Sequence, residues 1–304
     1  MKQILFFIVC ISLIPAGFAK ANVSDKNAQL IKAAKEGNLQ AVQTALADGT
    51  DVNAKDNDDI TALMHATFEG HTDIVKLLLE KGADVDANYK GATALMFAAM
   101  RDQKDIARIL LEKGADVNTK RTSDGKTVLM YALSDGREEI AKLLLEKGAE
   151  VNAKRNDGHT ALMTAVDMRY TEIVKFMLEK GANVNTKANT GKTALMWAAE
   201  GAEGEITKLL LEKGAEVNAK ASNGATALIM AAVGSNTEAI EVIKLLLENG
   251  ADVNAVADNG YTALKAARIY NRTDIVQLLE KAGAKESEVK VSDKNDRMIQ
   301  KQRN

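Results

Sequence analysis

Apolar positions along this chain fall into two alternating blocks. A short block such as "TALMHATF" at 61–68 is followed by "DIVKLLLEKG" at 73–82, where Ile74, Val75, Leu77, Leu78 and Leu79 make an apolar face wider than one stripe. Both blocks have helical spacing, and the second predicts a helix that needs cover on two sides. Thr61 sits where an N-cap would accept from the first turn of the short helix. Thr72, Thr171 and Thr273, ahead of Asp73, Glu172 and Asp274, predict a hydroxyl cap and a first-turn acid for the second helix. Gly82, Gly114, Gly148, Gly181, Gly214, Gly250 and Gly283 end the second block and predict a left-handed residue after each helix. An extended arm such as "ADVNAK" follows. Then "NDG" at 156–158, "NTG" at 189–191, "SNG" at 222–224 and "DNG" at 258–260 predict tight turns at hairpin tips.

The two-block unit repeats. Its opening Thr recurs at 61, 93, 127, 160, 193, 226 and 262, so the steps are 32, 34, 33, 33, 33 and 36 residues. A constant period of this size predicts a stacked array, because one helix pair cannot bury its leucine-rich faces and an identical neighbour can. The long step comes from three extra residues in "GSNTEAIEVIK" at 234–244, expected as a longer link between helices. The opening copy, "AQLIKAAKEGNLQAVQTALADGTDVNAK" at 28–55, keeps both helical blocks and lacks the hairpin. In the last copy, which ends in "LLEKAGAK" at 278–285, Lys265 and Arg268 replace apolar residues, as a solvated outer face requires. The expected organisation is a repeat domain over 27–285. It comprises an N-terminal cap at 27–55, repeats at about 56–88, 89–120, 121–154, 155–187, 188–220 and 221–256, and a C-terminal cap at 257–285. A polar tail covers 286–304.

This unit resembles the ankyrin repeat, whose pattern runs D-x-x-G-x-T-P-L-H-x-A-A, then G-H-x-x-I-V-x-L-L-L, then G-A-D-V-N-A. The resemblance implies an all-α solenoid of about eight stacked helix-turn-helix units with β-hairpin or loop fingers. It also implies a non-enzymatic module that holds a partner protein on a concave face lined by finger tips and first helices. The chain departs from the pattern by placing Ala and Met where the family has Pro and His: Ala62 and Met64, Ala94 and Met96, Ala161 and Met163, Ala194 and Met196. Losing Pro removes a preset φ at the first helical position, and losing His removes a polar link. Methionine is expected to fill that layer with adaptable apolar contacts.

The N-terminus changes the setting. Lys2, the apolar run "ILFFIVCISLI" at 4–14, Pro15 and "AGFAKA" have the plan of an export signal over 1–21, with cleavage expected after Ala19 or Ala21. That run is too short to span a bilayer, and no second long apolar segment follows, so no stable membrane insertion is expected after cleavage. Cys10, the only cysteine, lies inside the run behind Phe7, Ile8 and Val9, which disfavours lipid attachment. The mature chain would hold no thiol, so neither disulfides nor thiolate metal sites can support it. The short basic start points to a bacterial periplasm, with the extracellular space as the alternative. Asn22-Val23-Ser24 and Asn271-Arg272-Thr273 match glycan acceptor triplets, a pattern of low specificity.

Forty basic residues against forty-two acidic ones give a near-neutral chain, which argues against a nucleic-acid partner. The expected partner is another protein, bound by a monomer. Positions that vary between copies are the candidate contacts. One row is His65, Phe97, Tyr131, Thr164, Trp197, Met230 and Ala266; its aromatics are either rigid interface anchors or packing between first helices. A second row includes Phe68, Met100, Arg101 and Met168. A third lies at the finger tips, where Lys120, Arg121, Lys126, Lys154, Arg155, Lys187, Lys192 and Lys220 form a basic ladder; His159 and Tyr261 complete the candidate set. The first tip is acidic, with Asp56, Asp58 and Asp59.

Catalysis and cofactors find little support. His65, His71 and His159 have no second ligand at helical spacing and no cysteine partner. "GAEGE" at 201–205 lies between two helices rather than between a strand and a helix, which removes the mechanical reason for phosphate binding.

Overall fold

The computed structural model describes residues 25–234 and 238–286. The expected signal over 1–21, its Cys10, and the tail beyond Glu286 lie outside the described residues. Two compact units, one through Tyr89 and one from Lys90, are built on the same plan.

In the smaller unit, helices α1 (Asp25–Glu36) and α2 (Leu39–Ala47) form the opening pair, and α3 (Ala62–Glu69) and α4 (Thr72–Glu80) the next. Helix α1 packs on α2 and α3, and α4 packs on α2 and α3. The larger unit continues with five first helices: α5 (Ala94–Met100), α7 (Val128–Ser134), α9 (Ala161–Asp167), α11 (Ala194–Glu200) and α13 (Ala227–Val233). Their second helices are α6 (Lys104–Glu112), α8 (Glu138–Glu146), α10 (Thr171–Glu179), α12 (Gly204–Glu212) and α14 (Glu238–Glu248). The last pair is α15 (Ala263–Ile269) and α16 (Thr273–Lys281). First helices stack on first helices through this unit and second on second as far as α14, each pair also packing on itself. The architecture is that of the expected repeat solenoid.

Local chemistry explains the helix starts. Thr61, Thr93, Thr127, Thr160, Thr193, Thr226 and Thr262 cap every first helix after the opening pair, each Oγ1 accepting from the backbone N–H three residues on. These threonines are buried, so losing the hydroxyl would orphan an N–H that water cannot reach. Met64, Met96, Met130, Met163 and Met196 are 0–1% exposed and fill the layer as expected.

Two expectations are corrected. Thr72, Thr171 and Thr273 do not cap the second helices: they are the first helical residues, and the caps are His71, Tyr170 and Arg272, none using its side chain. A tight link takes over instead. The residue before each of these caps is left-handed (Gly70, Arg169, Asn271), and the cap N–H donates to a first-helix carbonyl, as His71 to Ala66 at 2.8 Å and Tyr170 to Ala165 at 3.0 Å. The three extra residues near 235 do not all enter the loop either. Helix α14 has eleven residues where α12 has nine, so two of the three lengthen the helix.

The arms carry a second, polar spine. Asn152 donates to the Gly181 carbonyl at 3.1 Å and accepts from the Asn183 N–H at 2.7 Å. Asn185 does the same with Gly214 and Glu216, Asn218 with Gly250 and Asp252, and Asn254 with Gly283 and Lys285. Within the smaller unit Asn53 treats Gly82 and Asp84 likewise. In five copies an asparagine therefore satisfies the carbonyl left over at the end of the neighbouring second helix.

Candidate functional site

Finger tips and first helices bring the candidate residues of the larger unit together. Each tip is a tight antiparallel turn closed by a backbone bond, such as Arg155 N–H to His159 at 3.0 Å or Ala257 N–H to Tyr261 at 2.9 Å. A carboxylate or carboxamide braces it from within: Asp124 accepts from the Lys126 N–H, Asp157 from His159, Asn223 from Ala225 and Asn259 from Tyr261. Successive tips are also tied together, since Asn156, Asn189, Ser222 and Asp258 donate their N–H groups to Asp124, Asp157, Thr190 and Asn223 at 2.9–3.0 Å. The fingers thus form a continuous ribbon, and side chains on it are held rather than loose.

The variable row after the methionine divides by burial. Phe97 is 1% exposed, His65 5% and Tyr131 6%, so of the two alternatives Phe97 and Tyr131 take packing rather than open anchoring, and His65, a candidate contact, is buried as well. Each is used internally. His65 Nε2 lies 2.8 Å from Asp56 Oδ2 in the smaller unit. The Tyr131 hydroxyl accepts from Arg121 at 2.7 Å and donates to Asp124 at 3.2 Å. Burial, only partly opposed by the Arg121 hydrogen bond, pushes the Tyr131 phenol up to about 12. Burial pushes the Asp56 carboxyl up, but hydrogen bonds from His65 and the Ile60 and Asp58 N–H groups outweigh it and hold it below the usual range.

Trp197 and Met230 remain partly exposed, and Trp197 is the centre of a cluster. The His159 ring meets it edge-on at 5.5 Å and 73°, and the Lys192 ammonium stands 4.3 Å above it. Lys192 also donates to Glu200 at 2.6 Å. The Trp197 Nε1 is buried without a hydrogen-bond partner among the described residues. Burial, reinforced by Arg155, lowers the His159 imidazole, which favours its neutral form.

The basic ladder is largely spoken for. Arg155 clasps Asp157 through two hydrogen bonds, which drives that carboxyl down to about 2. Lys120 meets Glu150 at 3.8 Å, and Lys187 donates to the Lys220 carbonyl at 3.1 Å. Lys126 forms no salt bridge among the described residues; it stands 5.2 Å over the Tyr131 ring, and burial lowers its ammonium. In the remaining row Phe68 and Met100 are partly exposed, Arg101 is exposed, and Met168 is 39% exposed.

Lys192, Met230 and Tyr261 share a recess of about 410 Å³ floored by Ala225, Ile229 and Ala257. Glu200, Asn223, Val233 and Asn259 complete its wall, four positions that sequence variation among the chosen rows did not single out. The tip asparagines were within reach of sequence reading, since Asn-Gly before a Thr signals a braced turn. Val233 and Glu200 carried no such signal. Among the described residues, no group of three or more His, Cys, Asp or Glu is placed to hold a metal ion, and no helix is long and apolar enough to cross a membrane.

Known proteins share this plan. The family model for ankyrin repeats (three copies) matches residues 30–121, 118–188, 154–221 and 195–291. The crystal structure of the human ASB11 ankyrin repeat domain is similar at a TM-score of 0.60 and 28% identity, covering 73% of this chain and 98% of that one. The human mitochondrial disaggregase is 44% identical over 61 residues, which is 20% of this chain and 9% of that protein. Human ankyrin repeat domain-containing protein 49 is 41% identical over 64 residues, 21% of this chain and 27% of that protein. The matched segments thus span only a small part of these curated relatives. With its cap threonines, its fingers and its family match along most of its length, the chain belongs to the ankyrin-repeat family.

Proposed function

We propose that this chain is a non-catalytic scaffold that holds a partner protein against the finger tips and first helices of its larger unit, the concave side in the family's architecture. One observation carries the reading: Trp197 is held in place by His159 and Lys192 yet keeps exposed surface. A preorganised, partly covered tryptophan is the side chain most often found at the energetic centre of protein interfaces. The leader-like first residues support action after export, in the periplasm first and outside the cell second, by a monomer. A secreted effector that engages a host molecule uses the same surface, and fractionation of cells, medium and host material separates the two.

The test is Trp197→Ala beside Phe97→Ala. Capture from a periplasmic extract should fall at least tenfold for Trp197→Ala under conditions where circular dichroism shows it folded, whereas Phe97→Ala should act on stability. Undiminished capture by Trp197→Ala sinks the reading.

A further inference from the structure

The recess at Met230 has a mixed chemistry. Its floor is apolar, made by Ala225, Ile229 and Ala257 with Met230 beside them, and Val233 on its wall is 38% exposed. Its rim offers donors. Asn223 Oδ1 accepts from the Ala225 N–H at 3.2 Å and Asn259 Oδ1 from the Tyr261 N–H at 3.1 Å. With its oxygen turned into the loop, each carboxamide presents its NH2 outward, a group that can only donate. Lys192 adds an ammonium to the lining, and Lys265, outside it, stands 5.8 Å from the centre of the Tyr261 ring. The one carboxylate lining the recess, Glu200, accepts from Lys192 at 2.6 Å.

We propose that this recess takes an apolar side chain flanked by carboxylates, so that the partner segment is an extended acidic–apolar peptide. The proposal rests on the scaffold reading and adds the chemistry of what is held. The apolar side chain sits on Met230 and Ile229, where about 410 Å³ is room for a large one. Carboxylates on either side accept from Asn223 and Asn259, and one meets Lys192. A basic peptide would set its charges against Lys192 and leave the carboxamide donors unmatched.

Fluorescence anisotropy with a labelled Gly-Gly-Asp-Phe-Glu-Gly-Gly peptide tests this on the full chain. Lys-Phe-Lys and Asp-Ala-Glu versions should bind at least tenfold more weakly, and added salt should weaken the first peptide. The double variant Asn223→Asp with Asn259→Asp keeps each turn acceptor but removes the outward donors; it should lose at least tenfold in affinity with little change in thermal midpoint. Met230→Glu, which puts a charge beside the floor, should lose as much. Equal binding of the Lys-Phe-Lys peptide, no binding of the Asp-Phe-Glu peptide, or indifference to both variants overturns the proposal. If the Asn double variant captures partner protein undiminished while Trp197→Ala does not, the recess chemistry is wrong and the scaffold reading stands. If Trp197→Ala captures fully, the scaffold reading falls and the peptide titration still decides the recess.

Discussion

Thr207 lies in helix α12 at the place where Val75, Ala107 and Val174 stand in other copies, fully buried, and its hydroxyl has no hydrogen-bond partner among the described residues. An unmet buried hydroxyl costs on the order of 1–3 kcal/mol. Thr207→Val, nearly isosteric, should therefore raise stability by about 1 kcal/mol, read as a higher denaturation midpoint with an unchanged slope. The glycines divide by surroundings in the same way. Gly158 and Gly181 have φ of 77° and 85°, but a Cβ on Gly158 would stand 2.7 Å from Asn189 Oδ1 and 2.9 Å from its N, whereas one on Gly181 would meet nothing. Gly181→Ala should cost about 1 kcal/mol, the conformational term alone, and Gly158→Ala clearly more, because the neighbouring finger must move. Charges at this scale act modestly. Asp157, lowered to about 2, lends stability that is complete above its unfolded value and is lost as pH falls through 2. Its side chain is 53% exposed, so solvent screening reduces the effect to about 1 kcal/mol or less. Asp157→Asn should correspondingly flatten the acid limb of the unfolding curve only slightly.

At the scale of the element, the caps and the asparagine spine set the termini. Thr193→Ala should cost about 1–2 kcal/mol in thermal unfolding and Thr193→Ser much less, since the serine hydroxyl can accept from the Met196 N–H as well. Asn152→Ala removes both the bond to Gly181 and the one from Asn183, and should cost about 1–3 kcal/mol by the same measurement. Thr caps, glycine ends and the methionine layer were legible in the chain because each depends on residues within one helical turn. The second-helix caps were misread for the opposite reason. The left-handed link residue, not the hydroxyl, decides how the chain enters that helix, and Arg169 and Asn271 adopt the conformation without being glycine. Extra residues join α14 because Ala239 finds a buried place at its start.

For the whole molecule, the decisive fact is that the copies of the larger unit from 121 on offer their neighbours the same partners. If 155–187 is deleted, Asn152 can meet Gly214 and its arm as it now meets Gly181, and the ribbon of tips can close on the next finger. The shortened chain should unfold cooperatively with unchanged helicity per residue and a denaturant slope lower by about an eighth, in proportion to the surface removed. Loss of helicity on that deletion would mean that the copies are not interchangeable.

The amino-acid order by itself determined the repeat, its period, the two helices per copy, the turn at each tip and the family they belong to, because these rest on local spacing and on residues confined to special backbone conformations. It did not determine which variable residues face outward. Positions 97, 131 and 197 hold the same register and carry aromatic rings, yet Phe97 and Tyr131 are buried and Trp197 is partly open. The Arg121–Tyr131–Asp124 clasp, the tip ribbon and the recess at Met230 all join residues from different turns or different copies. Exposure and donor orientation are set by what lies across a contact, and only the tertiary structure supplies the other side.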